Sequence, residues 1–432
     1  MFKNFFMSRL QFNRQARRFF MTIAALGFVI DGVYAVLLNL YLLRLGYDAR
    51  FIGQVNSFGL LTFALVSLPA GILGTRWAGT MMLRVGLGLI LLGTFLLPLA
   101  EFSPMGWQET WFILTYALVM MGYSLFFVNG APFLMSVVER DKQTSAFAIQ
   151  TALLSLAAFV GSLFGGILPG FIANLYSFSL DDPEPYRYTM LFTTLALLGA
   201  FCITLTMVKQ PEQRSDEAPV EEGNSGLENW IGGGYTTALI VLIVAMSLVR
   251  FFQVAGLATT SVFFNVYLDR QYGMPASTIG VIASVSRLIA VPIVLLAPRL
   301  IKRTSTGNVA MWASLATALS LLPIALVPYW WAAALGYISA LSLTNLRFAA
   351  FIVYIMVLVP KRQQAVMVGA GEAAAGFSFA LMALAGGYLV TWAGFQQLFF
   401  LGALLSGLGT LIFWFHLRVV NLRKRAEVGS TP

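Results

Sequence analysis

Twelve long apolar runs restrict this chain more than any other feature. Six fall near residues 19–44, 51–74, 81–100, 108–138, 145–173 and 188–208, and six more near 236–268, 276–300, 308–328, 330–359, 364–392 and 395–417. An apolar helix of about 18 or more residues is long enough to cross the hydrocarbon core of a bilayer. In lipid such helices satisfy their backbone donors and acceptors internally, whereas twelve of them in water could not all hide their outer faces. Only 10% of the 432 residues are charged and 59% are hydrophobic, against about a quarter charged in soluble domains. The expected fold class is an all-α membrane protein with twelve transmembrane helices.

One long polar stretch, KQPEQRSDEAPVEEGNSGLENWIGGG at 209–234, divides the runs six and six. Rich in Gly, Pro, Glu and Ser and without apolar periodicity, it reads as a solvated linker. The expected organisation is an N-terminal segment 1–18, a six-helix bundle 19–208, the linker 209–234, a second bundle 235–418 and a tail 419–432. Segment 1–18 mixes Phe2, Phe5, Phe6, Leu10 and Phe12 with Lys3, Arg9, Arg14, Arg17 and Arg18, the pattern of a cationic amphipathic segment lying at the membrane interface.

The net charge of +9 does not point to nucleic acid, because the cations sit in short loops and tails rather than on one face. With both termini cytoplasmic, twenty Lys and Arg fall on the cytoplasmic side and only Arg44, Arg50, Arg187 and Arg270 on the other, as the positive-inside rule requires. The linker is then cytoplasmic and the acidic loop of Asp181, Asp182 and Glu184 faces out. The absence of a glycosylation sequon and of a signal-peptide cleavage pattern favours a bacterial inner membrane. Cys202 and His416 are the only residues of their kinds, which excludes a Cys/His metal site. Without a phosphate-cradling glycine loop or a Ser–His arrangement in the spans, neither an enzyme nor an ATP-driven pump is expected, and no cofactor or metal.

The two halves repeat. Asn39-Leu-Tyr41-Leu matches Asn265-Val-Tyr267-Leu, Ile52-Gly53 matches Ile279-Gly280, Leu73-x-x-Arg76 matches Leu300-x-x-Arg303, and Gly165-Gly166-x-Leu168 matches Gly386-Gly387-x-Leu389. The offset stays between 221 and 227. An even number of spans per half makes this a parallel repeat about an axis normal to the membrane. On these residues the chain resembles the major facilitator superfamily (MFS) over nearly its whole length. After the second span, Gly71-Ile-Leu73-Gly-Thr75-Arg76-Trp-Ala-Gly79 is similar to the superfamily's loop motif, with Thr75 where an Asp is usual. In the fifth span, Gly161-Ser-Leu-Phe-Gly165-Gly166-Ile-Leu-Pro169-Gly170 resembles the glycine-proline motif of antiporters, with Pro and Gly displaced; small residues that let helices approach closely account for the same pattern. The resemblance implies two six-helix bundles around a central site and alternating access.

Ionisable groups inside spans are costly and mark functional sites by default. Five are present, on five different helices: Asp31, Arg250, Arg287, Arg347 and Glu372. At about 1.5 Å per residue they fall within roughly 9 Å of one depth. Ion pairs that lock helices, for instance Arg347 with Glu372, are the structural alternative. Three Arg against two acids leave a surplus cation, which suits a substrate carboxylate or phosphate. Gln253, Thr260, Tyr34, Thr344, Phe351 and Tyr354 share faces with these charges, and Asn129 with Pro132 is expected to interrupt span 4. The candidate substrate-binding residues are therefore Arg250, Arg287, Arg347, Gln253, Asn129, Tyr34 and Tyr354. A carboxylate that moves between apolar surroundings and an Arg can take up and release a proton; Glu372, then Asp31, are the candidates, with substrate competing for Arg347. The expected partners are a small anionic or zwitterionic molecule, a proton as coupling ion and the lipid bilayer, with the protein a monomer. Export is favoured by the glycine-proline motif. Polyspecific drug/H+ efflux, or lipid and amphiphile transport, is the alternative that the many Phe, Met and Trp allow.

Overall fold

The structure, a computed structural model, describes residues 12–76, 79–104, 106–139, 143–208, 237–359 and 364–429, so residues 1–11 and the expected linker at 209–234 lie outside it. The described residues contain no strand. Every apolar run becomes a helix, shifted by a few residues from its expected bounds. In the first half these are α1 (Arg14–Arg44), α2 (Ala49–Arg76), α3 (Gly79–Leu96, continued by a 3₁₀ turn Leu97–Phe102), α4 (Gln108–Val137), α5 (Gln143–Tyr176) and α6 (Glu184–Leu205). The second half holds α7 (Thr237–Tyr272), α8 (Ala276–Leu295, followed by the short helix Ala297–Arg303), α9 (Thr306–Leu326), α10 (Trp330–Val357), α11 (Gln364–Ala393) and α12 (Phe395–Gly429). Large apolar side chains such as Phe171, Leu195, Trp312, Leu335 and Leu411 are more than half exposed around the outside, the surface a bilayer solvates. Twelve helices return the chain to the end of the bundle where it began; this is called the terminal end below, and its opposite the far end.

Three details differ from the expectations. α1 starts at Arg14, inside the segment expected at the interface, because Phe12 and its neighbours find buried partners: Phe19 stacks on Phe126 with ring centroids 5.9 Å apart and meets Phe133 at 5.6 Å. Asn13 caps this helix, its side chain accepting from the Ala16 N–H at 2.8 Å, and donates to the Val137 carbonyl at the end of α4. α12 runs on through Gly429, into the expected tail. Pro132 does not interrupt α4, which is continuous to Val137; the nearby Asn129 amide bonds the carbonyl one turn back, Leu125 at 2.9 Å, and Ala70 of α2 at 3.2 Å. At the same, terminal end Arg84 and Arg18 donate to carbonyls at and just beyond the end of α6, Arg84 to Leu205 at 3.2 Å and Met207 at 2.6 Å and Arg18 to Thr206 at 2.5 Å, a cationic cap on the negative end of a helix.

The repeated residues meet one another at the seam between the halves. Asn39 of α1 donates to the Val262 carbonyl of α7 at 2.6 Å, and Asn265 of α7 donates to Val36 and Ala35 of α1 at 3.3 and 2.8 Å. Gly387 of α11 lies so close to α2 that a Cβ there would stand 2.5 Å from the Ala49 carbonyl, and Gly53 of α2 faces α11 in the same way. Their counterparts Gly166 of α5 and Gly280 of α8 press together likewise. The helix pairs α1·α7, α2·α11 and α5·α8 thus close the far half of the seam in a pseudo-two-fold pattern. Gly161, by contrast, packs within the first half, its Cα against Phe28 and Gly32 of α1. A side chain at Gly161 therefore strains a bundle, whereas one at Gly387 strains only the junction of two bundles. Gly161→Leu is expected to lower the melting temperature by several degrees or prevent folding. Gly387→Leu is expected to leave the bundles folded and to raise the labelling, by a thiol reagent applied from the far end, of a cysteine placed at Ser261 in a Cys202→Ala background.

Candidate functional site

Near mid-depth the first turns of α1 give way to a π-helical segment, Gly27–Tyr34. π-segments are rare and widen the helix, re-aiming its side chains, and Asp31 lies inside this one. Its carboxylate oxygens accept from the Tyr123 hydroxyl of α4 at 2.9 and 3.1 Å. Both residues line a cavity of about 290 Å³ between the halves, with Tyr34, Asn39, Asn56, Phe63, Tyr116, Ser261 and Phe379. Arg287 of α8 is half-buried, one turn on from Ser284, which donates to the Phe159 carbonyl of α5 at 3.2 Å, and it does not line this cavity. Among the described residues it has no hydrogen-bond or ion-pair partner.

The second group of charges lies nearer the terminal end. Arg250 of α7 donates to Glu372 of α11 at 3.2 Å and covers the Phe348 ring at 4.9 Å. The arginine side chain is 8% exposed and the glutamate 51%, so the pair is a buried cation with its counter-ion at the edge of water. Both line an opening of about 400 Å³ bounded by Leu60, Phe63, Ala64 and Ser67 of α2 and by Gly376 and Phe379 of α11. The two cavities share Leu60, Phe63 and Phe379, which places Asp31 and Glu372 along one passage. The pairing imagined between Arg347 and Glu372 is not the one formed. Arg347 is 1% exposed, donates to the Gln253 backbone carbonyl and keeps Nε and Nη2 without partners; the Gln253 side-chain amide is likewise unpartnered at its nitrogen and its oxygen.

The other candidates divide in the same way. Tyr34 reaches the cavity wall but donates its hydroxyl to the Thr94 carbonyl of α3 at 2.7 Å. Tyr354 is buried against Phe413, 5.3 Å between ring centroids, and beside His416. Asn129 joins α4 to α2, outside both cavities. The residues that sequence reading passed over are Tyr123, Tyr116, Asn56, Phe63 and Phe379. A signal existed for part of this set: Tyr116, Met120, Tyr123 and Phe127 recur at helical spacing on one face of α4, but no charge marked them.

At the far end Arg44 of α1 grips Asp269 of α7 through both terminal nitrogens, at 2.9 and 2.5 Å. Arg50 adds a bond to Thr391 at 2.8 Å, and Gln54 one to Tyr388 at 3.2 Å. The hydrogen bonds that Asn39, Arg44, Arg50, Gln54 and Asn265 make between the halves all lie on this side of the cavity. The conformation is closed at the far end and open toward the terminal end. A bidentate charged contact contributes about 1.5–3 kcal/mol, which is roughly tenfold or more in a conformational equilibrium. Asp269→Asn is therefore expected to raise far-end accessibility of the cavity by about that factor in cysteine labelling, and the exchanged pair Arg44→Asp with Asp269→Arg to restore most of the closure.

The family model described as Major Facilitator Superfamily matches residues 19–369 and 246–431. No curated protein sequence matches the chain. Among solved structures, the inward-open form of the xylose transporter XylE from E. coli aligns over 92% of this chain and 95% of its own, with a TM-score of 0.70 and 13% identity. A bacterial homologue of the human lysosomal transporter Spinster, inward-facing and unoccupied, aligns over 94% and 98%, with a TM-score of 0.69 and 14% identity. The nucleoside transporter NupG aligns over 93% and 97%, with a TM-score of 0.67 and 15% identity. At these identities the likeness is one of fold, and the family rests on the model match across most of the chain. The protein is a membrane transporter of the Major Facilitator Superfamily.

Proposed function

We propose that this transporter carries a small organic anion or zwitterion by alternating access, coupled to proton movement. The single observation that carries the reading is Arg287: a half-buried guanidinium one turn from Ser284, which bonds α5 across the seam, without a counter-ion among the described residues. A cation in that position gains most from an acidic group on a ligand, which its planar fork can hold in two bonds. The distribution of Lys and Arg supports a cytoplasmic terminal end in a bacterial inner membrane, and on that orientation the conformation described is the inward-facing one. A monomer suffices, since the passage lies within one chain.

Proton coupling is assigned to Glu372. When ionised it neutralises Arg250 at 3.2 Å; when protonated it leaves Arg250 and the neighbouring Arg347 as an uncompensated positive pair. Uncompensated buried charge is costly, so protonation favours whichever arrangement brings an anion or water to these arginines. The half-exposed carboxylate can exchange its proton with solvent from the terminal end. Of the α5 glycines that suggested export, Gly161, Gly165 and Gly166 are occupied in packing, so direction is read from the sign of the response to a pH gradient. The aromatic lining around Asp31 supports the second reading, efflux of lipophilic cations or amphiphiles.

Thermal unfolding of the purified protein with organic anions, zwitterions, lipophilic cations and lysolipids separates the two, because a ligand of the folded state raises apparent stability with occupancy. Anions or zwitterions are expected to stabilise the wild type and to lose at least tenfold in affinity on Arg287→Ala. Equal response of both proteins to cations or lipids alone sinks the first reading. In proteoliposomes Glu372→Gln is expected to abolish accumulation driven by a proton gradient while counterflow exchange of substrate persists.

A further inference from the structure

We infer that the second half carries a site for a planar oxyanion, of carboxylate or nitrate geometry, between α7 and α10. Arg347 holds it in the fork of its guanidinium, with Gln253 and Arg250 beside it. This site is separate from Arg287 of α8, where the reading above places the acidic group of the substrate.

The two helices exchange arginines. Arg250 of α7 crosses to α10, where its guanidinium lies 4.9 Å over the Phe348 ring. Arg347, the residue before Phe348, crosses the other way and donates through Nη1 to the Gln253 carbonyl of α7, one turn from Arg250. Ser406 of α12 donates to the same carbonyl at 3.4 Å, so three helices enclose this end of Arg347. Thr344 lies one turn from Arg347 on α10. All four side chains are buried, Arg347 and Gln253 to 1% exposure and Arg250 and Thr344 to 6%. Four of their donor-bearing nitrogens have no hydrogen-bond partner among the described residues: Arg250 Nη1, Arg347 Nε and Nη2, and Gln253 Nε2. The Thr344 hydroxyl has none either. Buried polar groups are paired in nearly all folded proteins, so donors gathered across one helix contact call for an acceptor. Rotation of the Gln253 amide offers its own free oxygen, which answers neither the number of donors nor the charge.

Charge makes the acceptor an anion. Arg347 cannot shed its proton inside the protein, and an uncompensated buried charge is costly. Glu372 reaches Arg250 through Nη2 at 3.2 Å and makes no ion pair with Arg347. Asp269 is held at the far end by Arg44. One carboxylate thus serves two guanidiniums. The free atoms then select the shape. With Nη1 of Arg347 engaged, Nε and Nη2 remain, the side-on edge whose two parallel N–H bonds match two oxygens of a planar oxyanion. A halide meets that edge with a single atom. The way in is the opening of about 400 Å³, on whose wall Arg250 and Glu372 stand. Arg347 itself lines neither cavity. The group that reaches it is therefore a few atoms across, either a free small ion or the acidic end of a longer molecule lying in the opening.

The test uses the full-length purified protein and reads saturable thermal stabilisation by formate and nitrate, titrated against chloride at constant ionic strength. Both are expected to bind the wild type about tenfold more tightly than chloride. Arg347→Gln is expected to abolish the response. Arg347→Lys, which keeps the charge without the fork, is expected to lose the preference over chloride. Gln253→Glu sets a carboxylate of the protein's own beside the fork; it is expected to raise the melting temperature without added anion and to remove the response. Glu372→Gln takes away the one counter-charge and is expected to tighten nitrate binding about tenfold or more. If the Arg347 variants do not fold, Gln253→Glu and Glu372→Gln decide. No stabilisation by formate or nitrate overturns the inference, as does a response equal to that of chloride. A response that Arg347→Gln or Gln253→Glu leaves intact also overturns it. 3-Phenylpropanoate identifies the source of the oxyanion: binding no tighter than that of formate marks a free ion, and binding about tenfold tighter marks the end of a longer molecule. The transport reading fails separately, when no organic anion or zwitterion depends on Arg287.

Discussion

Two asparagines hold the halves of this protein in register, and the rest of the architecture is arranged around what they permit. A side-chain amide in an apolar helix is costly unless it is bonded. Asn39 and Asn265 are each bonded to a backbone carbonyl of the opposite half, in positions related by the internal repeat. Glycines at Gly53, Gly166, Gly280 and Gly387 let the flanking helix pairs come to backbone contact, where dispersion and weak polar contacts replace the hydrophobic effect that lipid cannot supply. The seam therefore closes along one half of its length and leaves a cavity along the other. Because these bonds go to carbonyls that already accept within their own helices, parting them exposes few unpaired groups. That suits a junction that must open and close.

The charges follow the same division. Those at the closed end are committed to one another: Arg44 with Asp269 across the seam, and Arg187 with Glu101 inside the first half, where Tyr41 also donates to Glu101. Toward the middle the commitments loosen, from the Arg250–Glu372 pair at the edge of water to Asp31 and Arg287, which have almost none. A gradient from satisfied to unsatisfied polar groups leads to the cavity, and a substrate reading of that cavity draws its force from the contrast.

Much of the fold could be read along the chain because lipid makes helices obligatory and span length follows from bilayer thickness. The repeat was legible at Asn39 and Asn265 and at the four glycines, although their common task, facing each other across the seam, was not. Span 4 shows why local rules reach a limit: Pro132 reads as an interruption, but the helix absorbs it. Among the candidate residues, Asp31, Tyr34, Arg250 and Glu372 line the cavities, and Arg287 lines neither. Asn129 and Tyr354 are held in helix packing, and Arg347 lies fully inside the second half. Tyr123 carried no mark of its own.

Residue identity and spacing by themselves determined that this chain spans a membrane twelve times and that it does so in two similar halves, and they marked five charges inside the spans. These follow from hydrophobicity, helix rise and repetition, all properties of one dimension. The tertiary structure decided which charge faces which. A helix presents a side chain to any of several neighbours depending on its rotation, and depth along the axis says nothing of azimuth. The π-helical segment around Asp31 changes that azimuth again. That is why the count of charges along the chain could not say which of them reach a cavity: Asp31 lines one, Arg250 and Glu372 line the other, and Arg287 and Arg347 line neither.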